Sequence, residues 1–384
     1  MWWRKGTFLR GFGKMIRTSR CRLVFMVVVL TLCVVQSGVA AKNSSGRLVS
    51  PELLRHAKLA ILWENTLPIK KTEKLEQLLL LGNRLYAVSS SNYMVALDKD
   101  NGTLVFSRAV APAGFPVAGL KLYGNELLSV GGSKLTEIDA GSGDELRVMD
   151  VGFGITCPAA RNSSYFYIAG VDNRLHVFRA ADRVRTFEVA ADNNSTITSI
   201  TADDNLVVFA TAAGNVIGIA PNGPTRLWQF DASESIAGPI VKDWMSLFFA
   251  SKDTNVYRVD IVGLPEKKRL VWKNQTAAVL EEAPRVTQEV VYQHVSGKGV
   301  AAIDKETGSS LWLVPGGVDL LAESRSRAYV ITKAETLVVM DNTKGKRLYS
   351  VNFAGVSIHA ANTGDGKIYI ADKRGRVACL QPVE

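Results

Sequence analysis

The chain has 384 residues, 47% of them hydrophobic and 21% charged, with 32 glycines and 12 prolines. That is a globular profile, and it excludes a disordered or collagen-like chain. The formal charge of +10 sits mostly in residues 1–41, whose seven basic and no acidic residues leave 39 basic against 36 acidic residues beyond. The high isoelectric point is therefore no footprint of nucleic-acid binding, and no nucleic-acid partner is expected.

In chain order, basic residues from Arg4 to Arg22 precede the apolar run 23–35, and the small residues 37–41 follow it. The pattern reads as a secretory signal over 1–41, with cleavage after Ala40 or Ala41. Two alternatives stay open: an uncleaved anchor over 23–41, at the lower length limit for a span, and an Arg-rich mitochondrial presequence. A start at Met15 would give the signal a more ordinary length than a start at Met1. The expected location is the lumen of the secretory pathway (the endoplasmic reticulum) or the extracellular space. A membrane-anchored lumenal or periplasmic placement is the alternative, with membrane contact only through this segment. Residues 42–58 read as a linker with one short helix in SPELLRHAK (50–58), which Ser50 caps and Pro51 opens.

From residue 59 onward one pattern recurs. ALDKDNGTLVF (96–106), EIDAGSGDELR (137–147), AAIDKETGSSLW (301–312) and VMDNTKGKRLY (339–349) each place Gly four residues after Asp. The pairs are Asp98/Gly102, Asp139/Gly143, Asp304/Gly308 and Asp341/Gly345. A strand run before the Asp and an apolar run after the Gly make this strand, turn, strand. The Asp side chain can bond turn amides, and the Gly permits positive φ. Weaker copies fall at Arg179, Ala220, Asp260 and Gln381, so the unit recurs every 37 to 44 residues. Upstream of each lies a β run such as LYAVS, FYIAG, VVFAT, LFFAS or AYVIT, and a further strand precedes that. Four strands in about 40 residues is the size of a propeller blade.

The last strand of each unit carries a large side chain: Trp63, Phe106, Phe187, Trp228, Trp272, Trp312 and Tyr349. The second copy has 147–149 there instead. This beat overruns the C-terminus, while LAILWENTL (59–67) is an outer strand with no blade before it. The expected fold is all-β: an eight-bladed β-propeller over 59–384 whose last blade is completed by the N-terminal strand. Seven blades is the alternative, if the third or fourth copy is misaligned.

Residues 302–312 fit Ala-x-Asp-x-x-x-Gly-x-x-x-Trp, and 96–106 fit with Phe in the final place. In these residues the chain resembles the quinoprotein, or PQQ-like, β-propeller repeat family. The resemblance implies that Trp228, Trp272 and Trp312 pack between neighbouring blades. One branch of that family holds PQQ beside a disulfide of adjacent cysteines, with calcium on Glu, Asn and Asp. No Cys-Cys pair occurs here, and no position matches those cofactor motifs. The other branch is non-catalytic, with the barrel-assembly lipoprotein and lumenal endoplasmic-reticulum propellers as members, and uses the propeller as a docking surface. The expectation is a protein-binding scaffold with protein partners, a membrane complex among them, and a role in membrane-protein assembly or quality control. No enzyme activity, cofactor or metal is expected, and a PQQ-dependent oxidoreductase with a divergent site is the alternative.

The rest of the chemistry is sparse. Cys21 and Cys33 fall in the signal, which leaves Cys157 and Cys379 as buried thiols without a disulfide framework. His56, His176, His294 and His359 stand apart, with no metal spacing. The sequence has no Gly-x-Ser-x-Gly elbow and no phosphate loop. Asn43, Asn101, Asn162, Asn193, Asn194 and Asn274 each open an Asn-x-Ser/Thr triplet. Average Ser and Thr usage produces roughly two or three such triplets, so all six are glycosylation candidates, expected between strands. The fifth unit is the longest, and its basic knot Glu266, Lys267, Lys268 and Arg269 is the candidate contact loop.

Overall fold

The computed structural model describes residues 47–262 and 267–383; the signal, Asn43 and Glu266 lie outside them. β-branched and aromatic runs bounded by Gly, Asn and Asp turns fold here into eight four-stranded antiparallel sheets. The first blade is Leu75–Leu81, Arg84–Ser89, Tyr93–Asp98 and Leu104–Ala109, paired in that order. The same order repeats through Lys346–Asn352, the outer strand of the seventh blade. The second strand of a blade is buried almost end to end, as in Arg84–Ser89 and Val207–Thr211. Both of its faces are covered, so these strands read as continuous apolar runs and not as alternating ones.

The eighth blade joins the two ends of the body. Ile358–Ala360, Ile368–Ala371 and Arg376–Pro382 form three strands, and Leu59–Thr66 pairs antiparallel with the last. Trp63 stands opposite Cys379 in that ladder. The divergent third and fourth units are complete blades, so the ring holds eight and not seven.

No single core fills the ring. Each adjacent pair of blades shares its own apolar cluster. Tyr86, Phe106, Leu127 and Ile138 join blades one and two, while Trp63, Leu85, Val95, Tyr369 and Cys379 join blades eight and one. In the second blade Arg147 holds the aromatic's place in the ladder, and Met149, two positions on, is buried in the cluster with blade three.

The helix Pro51–His56 forms as the sequence predicts, with Ser50 Oγ accepting from Leu53 N at 3.4 Å. It is more than a linker element. Leu54 and Ala57, with Leu48 and Val49 before them, are buried in the cluster between blades seven and eight, beside Leu321 and Phe353. Burying these apolar side chains ties the segment to the ring, each fully buried Leu or Val contributing about 1.5–3 kcal/mol.

The repeated Asp and Gly build a tight turn in three of the four copies. Asp98 Oδ1 accepts from the amides of Asp100 and Asn101 at 3.0 and 3.2 Å, and Gly102 N donates to Asp98 O at 2.9 Å. Gly143 N and Gly308 N donate in the same way to Asp139 O and Asp304 O, at 2.8 and 2.9 Å. Gly102 has φ +74°, and a Cβ there would lie 2.5 Å from the Trp63 ring of the preceding blade. The glycine therefore serves twice, once for the left-handed backbone and once for the bare surface on which the indole rests.

The fourth copy, Asp341/Gly345, is a turn with an amide-binding Asp and a positive-φ Gly as expected, but of looser form. Gly345 keeps a positive φ of +62°, but among the described residues its N–H makes no bond to Asp341 O. The strand ladder runs on to the Asp341–Lys346 pair, one step past the equivalent of Leu97–Leu104, and the turn spans 342–345. A Cβ on Gly345 would meet Leu311 O at 3.5 Å and the Trp312 side chain at 3.8 Å, which is ordinary contact. Gly345 thus supplies backbone freedom alone, and no ring presses on it as on Gly102.

Gly132 also has positive φ, but its Cβ direction is open space. Gly132→Ala should cost about 1 kcal/mol of backbone strain, and Gly102→Ala at least twice that because the indole must also move. Denaturant unfolding of the two variants checks the difference, and equal losses would refute the packing role of Gly102.

Candidate functional site

The turn motifs are structural throughout. Asp139 Oδ1 accepts from Gly141 N and Ser142 N, both at 2.8 Å, and Asp304 Oδ1 from Glu306 N and Thr307 N at 3.1 and 2.7 Å. These amides hold both carboxyls below the ordinary aspartate range. In the looser fourth copy Asp341 Oδ1 accepts from Lys344 N at 3.0 Å.

The outer-strand indoles bind these turns from the neighbouring blade. Trp63 Nε1 donates to Lys99 O at 3.0 Å and Trp272 Nε1 to Lys305 O at 2.9 Å. Trp312 Nε1 reaches the same turn position at Gly345's turn, but donates to the side-chain oxygen Asn342 Oδ1 at 3.2 Å. Trp272 packs on Gly308 as Trp63 packs on Gly102. Trp228 is buried between blades four and five, but its Nε1 has no partner among the described residues. Blade five runs straight on past Asp260 in a long hairpin, so the tight Asp turn that meets the indole elsewhere does not form there.

A second clamp lies two residues beyond the aromatic. Asn65 Nδ2 donates to Gly102 O at 2.9 Å, Arg108 Nη1 to Gly143 O at 2.8 Å and Asn274 Nδ2 to Gly308 O at 2.8 Å. Sequence analysis missed it, although Trp-x-Asn occurs at both 63–65 and 272–274. Asn274 was expected between strands; it lies inside Lys267–Gln275 and its amide is committed to the next blade. Asn162 does lie between strands, yet it is 2% exposed, and its amide donates to Tyr167 Oη and Asp203 O at 3.0 and 3.1 Å. Asn101, Asn193 and Asn194 are exposed in turns.

The basic knot is not a loop over its described length. Lys268 and Arg269 belong to the strand Lys267–Gln275, opposite Ile261 and Asp260. Alternation of side chains along a paired strand splits them, so that Lys268 Nζ lies 5.6 Å over the Phe230 ring while Arg269 approaches Asp260 at 3.6 Å.

Polar side chains of the first strands reach from one blade to another. Arg285 of blade six donates from Nε and Nη2 to Asp319 of blade seven at 3.1 and 2.9 Å, and His359 Nε2 of blade eight donates to the same carboxylate at 3.2 Å. Burial works to raise the Asp319 pKa, but the hydrogen bonds from His359 and Arg285 and the arginine's charge outweigh it and hold it down at about 2. Lys121 Nζ of blade two donates to Ile200 O of blade four at 2.5 Å, and burial pulls the pKa of that ammonium down. These contacts hold first strands together across blade boundaries. Cys157 and Cys379 are buried free thiols in separate interblade clusters, and burial pushes them up to about 11 and about 12. Among the described residues no three His, Cys, Asp or Glu side chains converge as a metal site. No helix of the described residues is long and apolar enough to cross a membrane.

The depressed Asp319 carboxyl stabilises the ring fully above its unfolded pKa of about 4, and that contribution is lost as pH falls through about 2. Between those limits the wild type should lose on the order of 2 kcal/mol more than Asp319→Asn. Chemical unfolding at a series of pH values checks this, and parallel stability curves for the two proteins would refute it.

Residues 247–358 match the sequence model of a family described as outer membrane protein assembly factor BamB. Comparison with curated proteins yields no match. Among solved structures, BamB from Moraxella catarrhalis is similar with a TM-score of 0.64 at 14% identity, over 84% of this chain and 97% of that one. A computationally designed protein, Ika8, is similar with a TM-score of 0.63 at 16% identity, over 82% of this chain and 98% of that one. The closed ring of blades and these likenesses show an eight-bladed β-propeller that is similar to BamB in fold and, over residues 247–358, in sequence pattern.

Proposed function

We propose that the propeller is a non-catalytic scaffold that binds protein partners in an extracytosolic compartment, with a part in the assembly or quality control of membrane proteins. The carrying observation is the apolar surface on the outer strands. Leu311 and Leu313 of the sixth blade are exposed, Leu313 by 45%, and so is Leu348 of the seventh. Leu313 and Pro315 border a cavity of about 610 Å³ shared with Ala334, Val338 and Met340 of blade seven. A ring whose blades are already sealed against each other has no internal use for these side chains, and apolar surface of this kind marks interaction sites. The similarity to an assembly factor points the same way.

The basic and apolar N-terminal pattern supports entry into the secretory pathway or a periplasm. In a glycosylating lumen, Asn101 and either Asn193 or Asn194 are, among the described residues, the triplets with room for a glycan. Glycopeptide mapping of the native protein should find occupancy at those positions and none at Asn162, whose amide nitrogen is held inside the fold. Occupancy at Asn162 would contradict the placement of that side chain. For the scaffold itself, gentle affinity purification of the full chain from solubilised membranes should recover a stoichiometric protein complex. Leu313→Glu should weaken that complex about tenfold or more if the outer surface contributes. Recovery of the monomer alone would remove the reading.

A further inference from the structure

Four blades join their first and second strands by the same two-residue turn. The closing pairs are Leu81 with Arg84, Tyr123 with Glu126, Asp243 with Ser246 and Ser324 with Arg327. In each turn the first residue has a positive φ, +60° at Gly82, +57° at Gly124, +54° at Trp244 and +53° at Arg325. Glycine is the residue this geometry favours. Blade five instead places Trp244 there and Met245 after it, where the first and second blades have Gly-Asn.

Trp244 is 88% exposed and Met245 44% exposed. The other three turns of this kind carry no exposed tryptophan, phenylalanine, leucine, isoleucine or methionine. A bulky left-handed residue costs the fold backbone strain, and a solvated indole contributes no core in return. Both costs fall on one turn, and nothing within the ring requires either.

The surroundings of this turn give the chemistry of what covers it. Ile261 N donates to Met245 O at 2.7 Å, and Ile261 is the cross-strand partner of Lys268, with Arg269 next to it. The nearby carboxylates are already engaged, Asp203 by Lys242 at 2.8 Å and Asp243 by Lys305 at 2.5 Å. Among the described residues no carboxylate lies within ion-pair range of Lys268. An indole and a thioether beside an unbalanced cation form an apolar anchor with a basic margin.

We propose that the Trp244–Met245 turn, flanked by Lys268 and Arg269, docks a protein partner that offers an apolar pocket bordered by carboxylates. The proposal rests on the scaffold reading above and names one surface for it. A lipid surface is the poorer fit. The neighbouring turns present Asp204 and Glu306, which would face anionic headgroups, and among the described residues no second exposed apolar tip stands beside the first.

The test uses the full chain. A photo-crosslinking residue at Met245 should give a discrete adduct in the cells that make the protein, and the same residue at Asn125, the matching position of blade two, should not. The protein so identified is then purified and its Kd measured. Trp244→Gly should weaken binding at least tenfold while leaving the thermal midpoint unchanged or higher, because glycine relieves the strain. Lys268→Glu should weaken it further and flatten its salt dependence. If the partner binds Trp244→Gly as it binds the wild type, the anchor is refuted and the scaffold reading stands. If neither this surface nor any other yields a partner, both fall. Binding to phosphatidylglycerol vesicles that is lost in Trp244→Gly would overturn the proposal in favour of a lipid.

Discussion

The closure of this ring depends on an indole resting on a glycine turn of the next blade. The contact joins two sheets that share no backbone hydrogen-bond ladder, and it has three parts: the ring on the bare glycine, the indole N–H on a turn carbonyl, and an amide two residues on that reaches the glycine's own carbonyl. Trp63 and Asn65 make all three with the turn at Lys99–Gly102, and Trp272 and Asn274 repeat them at Lys305–Gly308. The first of these pairs is also where the two ends of the body meet. The strand that carries Trp63 completes blade eight and presses its indole on blade one, so the ring closes through the same contact that joins blades five and six.

Two departures from this pattern meet in blade five. Its long hairpin gives up the tight Asp turn, the indole of Trp228 loses its carbonyl, and the same blade carries the strained, exposed Trp244. Blade seven departs more mildly, with Trp312 held by a side chain and standing off from Gly345. A repeat protein can relax its rules in one unit because each blade contacts mainly its two neighbours, so the cost stays local. Local conflict between residue and geometry is what a surface under functional constraint looks like.

The fold was legible because its causes are local. An Asp that binds turn amides, a Gly four residues on and an alternating strand leave a mark within a dozen residues, and the mark recurs. Even so, equal spacing did not guarantee equal turns: Asp341 and Gly345 have the same separation as Asp98 and Gly102, yet the fourth turn lacks the glycine amide bond that closes the first. The site was less legible because its causes are not local. Asn162 and Asn274 have the same triplet as Asn101, yet one is sealed beneath Tyr167 and the other spans to the next blade. The knot 267–269 reads as a loop by charge, but pairing with 260–262 makes it strand.

The order of residues alone determined the repeat, its period and the closing strand, since each follows from short-range pattern and arithmetic along the chain, while the choice of eight blades over seven waited on the divergent third and fourth units. Only the tertiary structure decided which side chains remain in water. Trp228 and Trp244 are sixteen positions apart and of one type, and one is buried between blades while the other stands out from a turn. That difference comes from which sheet lies against each of them, and packing between blades, not the identity of the residue, sets it.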